Sequence, residues 1–165
     1  MKITVEGKEK LQSKIKTLQA ELQKIRDEKA NAYVLTGDTW HDNPYFNQLE
    51  QAEQRALLKL SELQTILEEA NIVNRDSQNP DVIDIGSIVK CSCLYAGEDE
   101  PEEEIYEIVG HGEAEVEKGK IAYDSLVAKN IIGHKVNDEI TFEIPSGKVK
   151  YKILAIFSDW KEARE

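Results

Sequence analysis

TGDTWHDNPY, residues 36–45, separates two long segments of helical periodicity and decides how the chain folds. Gly37 provides the permissive backbone that ends a helix, and Asn43 followed by Pro44 can begin the next helix with proline in its first turn. A plain turn does not need an exposed tryptophan beside a histidine and two aspartates. We therefore expect these ten residues, called the tip below, to be the functional apex of a helical hairpin.

The residues on either side of the tip carry a heptad pattern. Steps of three and four separate their apolar residues, apart from one step of seven in each series, and this is the a/d spacing of a coiled coil. The apolar positions are Leu11, Ile15, Leu18, Leu22, Ile25 and Ala32 before the tip, and Phe46, Leu49, Ala56, Leu60, Leu63, Leu67 and Ala70 after it. The pattern predicts two long helices that pack along a narrow seam.

The two apolar series locate the turn without reference to the tip sequence. In an antiparallel hairpin the numbers of facing residues add up to a constant, and facing pairs such as Leu22 with Leu60 give 81 or 82. The fold-back centre is therefore close to His41. Lys29 and Glu53 fill otherwise apolar slots and also add up to 82, so we predict an ion pair between the helices that helps to fix their register.

Three polar side chains of the tip, Asp38, His41 and Asp42, are the candidate site residues. Aspartate and histidine bind metals, but three side chains on a loop do not form a preorganised cage. One interpretation is that the carboxylates complete a Mg²⁺ site supplied mostly by another molecule, so that the isolated protein holds no cofactor. The other is that Asp38 and Asp42 only cap helices.

The second half changes from helical periodicity to strands. A polar segment that contains Pro80, residues 75–80, is predicted to be a linker. Residues 98–104 are predicted to be an acidic loop, and residues 125–132 a short helix before Gly133. The predicted strands are Ile85–Leu94, Ile105–Val109, Ile140–Ile144 and Lys148–Ile156. The predicted organisation is a coiled-coil hairpin domain (1–74), the linker, and a compact α+β domain (81–165).

Composition and charge limit the possible functions. No apolar run approaches the ~18 residues that span a bilayer, and the first residues do not resemble a signal peptide, so we expect a cytoplasmic monomer without membrane contact. The net charge is −11, of which residues 76–165 contribute −10 from 10 basic and 20 acidic residues. This argues against general nucleic-acid binding, which needs Lys and Arg. Cys91 and Cys93 are expected to be buried strand thiols.

In the second half, several short motifs follow one another: Tyr106–Gly110 with Glu113–Glu115, Gly119–Ile121, Ser125–Gly133, Val136 with Asp138 and Glu139, and Gly147 with Tyr151 and Ile153. In residue type and order these motifs resemble those of the bacterial transcript-cleavage factors of the GreA/GreB type. In the first half, Gly37-Asp38 match the glycine and aspartate of that family's hairpin tip, and Tyr45, Glu50 and Gln51 follow without a gap. The chain resembles this family over nearly its whole length.

The resemblance implies a fold and a function. An antiparallel coiled-coil hairpin would enter the secondary channel of bacterial RNA polymerase, and an FKBP-like antiparallel sheet domain would dock at the channel rim through Asp124, Ser125 and Leu126. Two tip acids would help to hold a Mg ion in the polymerase active site, where backtracked RNA is hydrolysed near its 3′ end. In this interpretation the polymerase is the enzyme, and the factor touches the nascent RNA only indirectly.

The tip departs from the pattern of the family. His41 stands where the second acid is expected, and Asp42 follows one residue later. The docking segment also departs from the pattern, because Leu126 replaces its proline. Neutral histidine is a poor ligand for Mg²⁺, which prefers oxygen. Three hypotheses follow: a cleavage factor that uses Asp38 and Asp42, a non-cleaving regulator or inhibitor in the same channel, and an interaction module for another partner. We expect Trp40 to contact the polymerase.

Overall fold

The structure is a computed structural model that describes residues 1–77 and 79–164, without the side chains of Asp38, His41, Ser77 and Arg164. Two compact units make up the chain. Lys8–Ala70 form the hairpin unit, while Met1–Gly7 together with the chain from Asn71 onward form the sheet unit. The predicted α+β fold, with an N-terminal helical hairpin and a C-terminal sheet domain with a short helix, is confirmed.

The hairpin consists of two long helices joined by a short 3-10 segment. Helix α1 spans Val5–Thr36, the 3-10 segment spans Gly37–Asp42, and helix α2 spans Pro44–Glu69. The predicted seam positions are buried or half-buried, and the most buried are Ile15, Leu22, Ala32, Phe46, Leu49 and Ala56. No helix in the described part of the chain has the length and apolar character needed to cross a membrane.

A polar layer, made of Arg26, Lys29, Glu50 and Glu53, joins the two helices below the tip. The Lys29 ammonium lies 3.1 Å from Glu53 and 3.4 Å from Glu50, and Arg26 Nε donates to Glu53 at 2.8 Å. The hydrogen bond from Arg26, followed by that from Lys29, lowers the pKa of Glu53. The hydrogen bond to Glu53 likewise raises the pKa of Lys29. The predicted ion pair between Lys29 and Glu53 is therefore confirmed, and the hairpin register with it.

The sheet unit contains a five-stranded sheet, a separate two-stranded sheet and one short helix. The five strands lie in the order β5-β4-β3-β7-β6, and neighbours are antiparallel except for the parallel pair β4–β5. The elements are β1 (Lys2–Thr4), β2 (Asn71–Val73), β3 (Ile88–Tyr95), β4 (Glu102–Val109), β5 (Lys120–Ala122), α3 (Leu126–Ile131), β6 (Glu139–Ile144) and β7 (Gly147–Phe157). Strands β1 and β2 pair in parallel.

The core of the sheet unit lies under the central strands. Val89, Cys91 and Cys93 alternate along β3 and are fully buried, as expected for side chains that share one face of a strand. They pack in one cluster with Ile131 of α3 and Tyr151 of β7. Burial raises the pKa of each thiol to about 12. The prediction of buried strand thiols is confirmed.

The unit boundaries differ from those predicted from the sequence. Residues 1–7 and 71–74 were assigned to the hairpin domain, but they group with the sheet unit because Lys2–Thr4 pair with Asn71–Val73. In the predicted linker, Arg75 donates to the backbone carbonyls of Asn79, Pro80 and Val82; Gln78 lies outside the described residues.

The predicted strands also differ in detail from the observed ones. β4 begins at Glu102, inside the predicted acidic loop, because Glu102–Glu104 pair with Cys91–Cys93. The three-residue strand β5 was not predicted, and its partner in the sheet is the end of β4. The predicted short helix is present with Ser125 as its N-cap.

Candidate functional site

The tip contains a short 3-10 helix, and α1 passes into it at Thr36 and Gly37. Gly37 adopts φ +52°, a left-handed conformation that favours glycine. Thr36 Oγ1 donates to the carbonyl of Ala32 at 2.8 Å, and Thr39 Oγ1 donates to the carbonyl of Thr36 at 2.8 Å. Helix α1 ends just before Gly37, as the position of this glycine in the sequence predicts, and the Thr39 hydroxyl bonds the Thr36 carbonyl where the chain turns back.

Asn43 begins the returning helix. Its side-chain oxygen accepts hydrogen bonds from the backbone N–H groups of Tyr45 at 3.0 Å and Phe46 at 3.4 Å, and Pro44 occupies the first turn. The backbone N–H of Asn43 also donates to the carbonyl of Trp40 at 3.2 Å. Asn43, and not Asp42, is therefore the N-cap of α2.

Trp40 packs into a small aromatic cluster under the apex. Its ring centroid lies 4.9 Å from that of Phe46 in an edge-to-face arrangement and 5.9 Å from that of Tyr33. Lys29 Nζ lies 5.3 Å from the centre of the Phe46 ring, which joins the cluster to the polar layer. Trp40 is half-buried, whereas the sequence led us to expect an exposed side chain. Packing inside the tip therefore uses part of the ring surface that would otherwise be available to contact a partner.

The candidate acids belong to the same 3-10 segment. Asp42 is exposed at the apex; the side chains of Asp38 and His41 lie outside what the structure describes, although their backbone is part of this segment. Within the described residues, no group of three or more His, Cys, Asp or Glu side chains is arranged to hold a metal ion. Carboxylate oxygens are the ligand type that Mg²⁺ prefers, and a Mg²⁺ site that used these residues would need further ligands from another molecule.

Of the predicted docking residues, Asp124 and Ser125 lie between β5 and α3 in the sheet unit, and Leu126 is the first residue of α3. Ser125 Oγ accepts from the backbone N–H of Ala128 at 3.2 Å and so caps α3. Asp124 is exposed, with one carboxylate oxygen 3.7 Å from His111 Nδ1, and Leu126 exposes an apolar side chain. The three residues thus offer a carboxylate and an apolar side chain beside one another.

Comparison with known proteins identifies the family. A family model described as "Transcription elongation factor, GreA/GreB, C-term" matches residues 77–158. Transcription elongation factor GreA of Geobacillus kaustophilus is 33% identical over 154 residues, which cover 93% of this chain and 94% of that protein. The chain belongs to the GreA/GreB family. GreA of Clostridium kluyveri is 32% identical over the same shares of the two chains.

A solved structure of a GreA/GreB relative aligns along almost the entire chain. GreA factor homolog 1 of Thermus thermophilus has 26% sequence identity, covering 95% of this chain and 98% of its own, with a TM-score of 0.43. The assignment to the GreA/GreB family rests on the sequence relatives, which extend through the hairpin as well as the sheet unit.

The GreA/GreB chain carries one surface feature that the sequence analysis missed. Tyr33, Val34, Leu35 and Tyr45 are exposed large side chains around the base of the tip. The sequence contains a signal for this exposed surface, because three consecutive large apolar residues at the end of a helix cannot all be buried in a narrow seam. The roles of Asp38, His41, Asp42 and Trp40 in binding and cleavage stay predictions.

Proposed function

We propose that this protein is an elongation factor that binds bacterial RNA polymerase, inserts its hairpin tip into the secondary channel, and stimulates the polymerase's own cleavage of backtracked RNA. The observation that carries the proposal is the similarity to a GreA protein over 93% of the chain. A hairpin with an exposed carboxylate at its apex supports it. The protein supplies ligands and position, and the polymerase supplies the catalytic centre.

The shape of the hairpin suits delivery of the tip into a narrow passage. Helix α2 has 26 residues, which extend about 39 Å at ~1.5 Å per residue. Two helices packed along one narrow seam are poorly suited to enclosing a small substrate, but their length would let them reach into a partner. The polar layer and the aromatic cluster stiffen the end that carries the acids.

Asp38 and Asp42 are the residues proposed to act in the polymerase active site. Each would supply carboxylate oxygens to a Mg ion shared with the polymerase, and that ion would activate water for RNA hydrolysis. His41 is proposed to assist from the adjacent position without serving as a strong Mg ligand, since Mg²⁺ prefers oxygen. The cap at Asn43 leaves Asp42 available for this role.

The sheet unit is proposed to dock at the rim of the channel through Asp124, Ser125 and Leu126. Residues 76–165 carry a net charge of −10, so the docking site on the polymerase should be partly basic and affinity should fall with added salt. Affinity that does not change between low and high salt would contradict this part of the proposal.

A second candidate function is a regulator that occupies the same channel without promoting cleavage. His41 in the place of the second acid favours it, because the histidine removes one oxygen ligand. An interaction module for a different partner is the third candidate, and failure of the protein to bind RNA polymerase in a pull-down would favour it.

Cleavage in a stalled, backtracked elongation complex separates the first two functions. The protein is added with Mg²⁺, and the length of the 3′-labelled and 5′-labelled RNA is followed. We expect shortening at the 3′ end that is lost in Asp38→Asn and in Asp42→Asn, and retained in Glu62→Gln, which changes an exposed acid of α2 far along the sequence from the tip. Binding without shortening would reject the cleavage factor in favour of the regulator.

A further inference from the structure

An apolar collar, made of Tyr33, Val34, Leu35 and Tyr45, surrounds the base of the tip. The first three residues lie in the last turn of α1 and Tyr45 lies in the first turn of α2. Val34 is 78% exposed and Leu35 is 86% exposed, while both tyrosines are about half exposed. In the described part of the hairpin unit, four of the six exposed large apolar side chains belong to this collar.

The hairpin seam does not account for the collar. Successive helical residues are rotated by about 100°, so three in a row cover about 200° of the helix surface. The seam at this level is already filled by Ala32, Phe46 and Leu49, which are buried. Tyr33 and Val34 line one shallow groove together with Phe46, and Leu35 and Tyr45 line another together with Ala32.

The charges around the collar indicate what kind of surface it fits. Residues 30–46 contain no Lys or Arg but two aspartates. The nearest cations, Arg26 and Lys29, are paired with Glu53 and Glu50. A nucleic acid is therefore disfavoured, because phosphate binding requires available cations. A second copy is disfavoured because it would bring the acidic tips together.

We propose that the apolar collar binds an apolar protein surface inside RNA polymerase, bordered by basic side chains, and so contributes to the affinity of the inserted hairpin. This inference rests on the proposed function and adds the chemistry of the contact. Val34 and Leu35 supply binding energy by leaving water, and the aspartates of the tip act on the chemistry. Affinity and cleavage rate are thus assigned to different residues of the same hairpin.

Binding of the full chain to immobilised bacterial RNA polymerase core enzyme tests the proposal. The collar variant carries Val34→Gln and Leu35→Gln, two exposed positions where glutamine keeps good helix propensity. The matched control is Leu58→Gln, which changes a 68% exposed leucine of α2 away from the tip. We expect the Kd to rise about tenfold or more for the collar variant, as for central interface residues, and to stay within about twofold for the control.

A second measurement separates binding from chemistry. At saturating protein, the collar variant should cleave backtracked RNA at the wild-type rate, because its tip acids are intact. A lower rate at saturation would overturn the assignment of the collar to binding alone.

The remaining outcomes are also decisive. If the wild-type protein binds polymerase and the collar variant binds equally well, the collar proposal fails while the proposed function stands. If the wild-type protein does not bind polymerase, both fail. The collar proposal is also overturned if the collar variant loses binding to a single-stranded oligoribonucleotide. It fails as well if sedimentation shows a wild-type dimer that the variant abolishes.

Discussion

The polar layer of the hairpin allows a quantitative test of the register. Lys29 and Glu53 approach to 3.1 Å with side chains that are 23% and 17% exposed, so the pair is neither fully solvated nor fully buried. Exposed pairs contribute about 0.2–1 kcal/mol, and hydrogen bonds between charged groups about 1.5–3 kcal/mol. We expect an intermediate coupling energy of about 1–1.5 kcal/mol from a double-mutant cycle with Lys29→Met and Glu53→Gln.

The Glu53→Gln variant alone should destabilise the hairpin more than Lys29→Met does. Removing the Glu53 carboxylate takes a charged partner from both Arg26 and Lys29, whereas in Lys29→Met Glu53 keeps its hydrogen bond from Arg26. We expect a loss of about 2 kcal/mol for Glu53→Gln, from two charge-assisted contacts at a half-buried site. Urea unfolding followed by circular dichroism at helical wavelengths reports mainly on the hairpin, because α1 and α2 have 32 and 26 residues and α3 has 6.

The coupling energy should depend on pH in a defined direction. The pKa of Glu53 is lower in the folded chain, so its contribution is complete above the unfolded pKa of about 4.3 and is lost as the pH falls through the folded value. The pKa of Lys29 is raised, so its contribution is complete below the unfolded pKa of about 10.4 and is lost as the pH rises through the folded value. Between these limits the coupling should be constant.

A cycle on the exposed pair Lys59–Glu62 is the control. This pair has a similar separation of 3.0 Å, but both side chains are about 60% exposed, at 60% and 62%. Its coupling should not exceed about 0.5 kcal/mol. If the Lys29–Glu53 coupling is no larger than that of Lys59–Glu62, the polar layer does not set the register, and our interpretation of the two polar seam positions is wrong.

Three further predictions concern the tip and the sheet unit. Asn43→Ala should destabilise the start of α2 by about 1 kcal/mol, because it removes the N-cap. Faster amide hydrogen exchange at the start of α2 would detect this loss. Asn43→Asp, which can also cap the helix, should restore slow exchange. Cys91 and Cys93 should not react with a thiol reagent at mildly alkaline pH in the native protein and should react in guanidinium chloride, because burial raises the pKa of each thiol to about 12; rapid native labelling would show that β3 opens. Trp160→Phe should make the segment after β7 more sensitive to limited proteolysis, because the Trp160 indole N–H donates to Glu107 at 2.5 Å, and an unchanged cleavage pattern would mean that this hydrogen bond does not hold the segment.

The hairpin could be predicted from the sequence because its determinants are local and periodic. The heptads, the Gly37 turn and the Asn43-Pro44 start each act within a few residues, and the register followed from arithmetic on the apolar positions. Lys29 opposite Glu53 was predictable because a polar residue in an apolar seam needs a partner across it.

The parts that were missed depend on distant or outward-facing residues. Strands β1 and β2 pair across almost 70 residues of intervening chain, and three-residue strands carry too little pattern to be recognised. The inward packing of Trp40 depends on Phe46 and Tyr33, which approach it only when the helices turn back. The apolar collar lies outside the seam, so a search for heptad positions passes over it.

The sequence predicted where the candidate site lies in the fold, but not whether the site can support RNA cleavage. Sequence periodicity placed Asp38, His41 and Asp42 at the apex, and the exposed position of Asp42 agrees with that placement. Whether two carboxylates suffice for cleavage depends on ligands that belong to the polymerase. No feature of this chain alone supplies them within the described residues.

The position of the apex inside the polymerase tests the central claim most directly. A photo-crosslinker attached to Thr39→Cys reports on an exposed apex residue, and the buried Cys91 and Cys93 should leave the engineered thiol as the one labelled. A second probe at Val116→Cys, an 81% exposed residue of the sheet unit, is the reference. We predict crosslinks from position 39 to the polymerase active centre and from position 116 only to the outer surface. Crosslinks from position 39 to the outer surface alone, in a complex shown to be saturated, would contradict insertion of the tip.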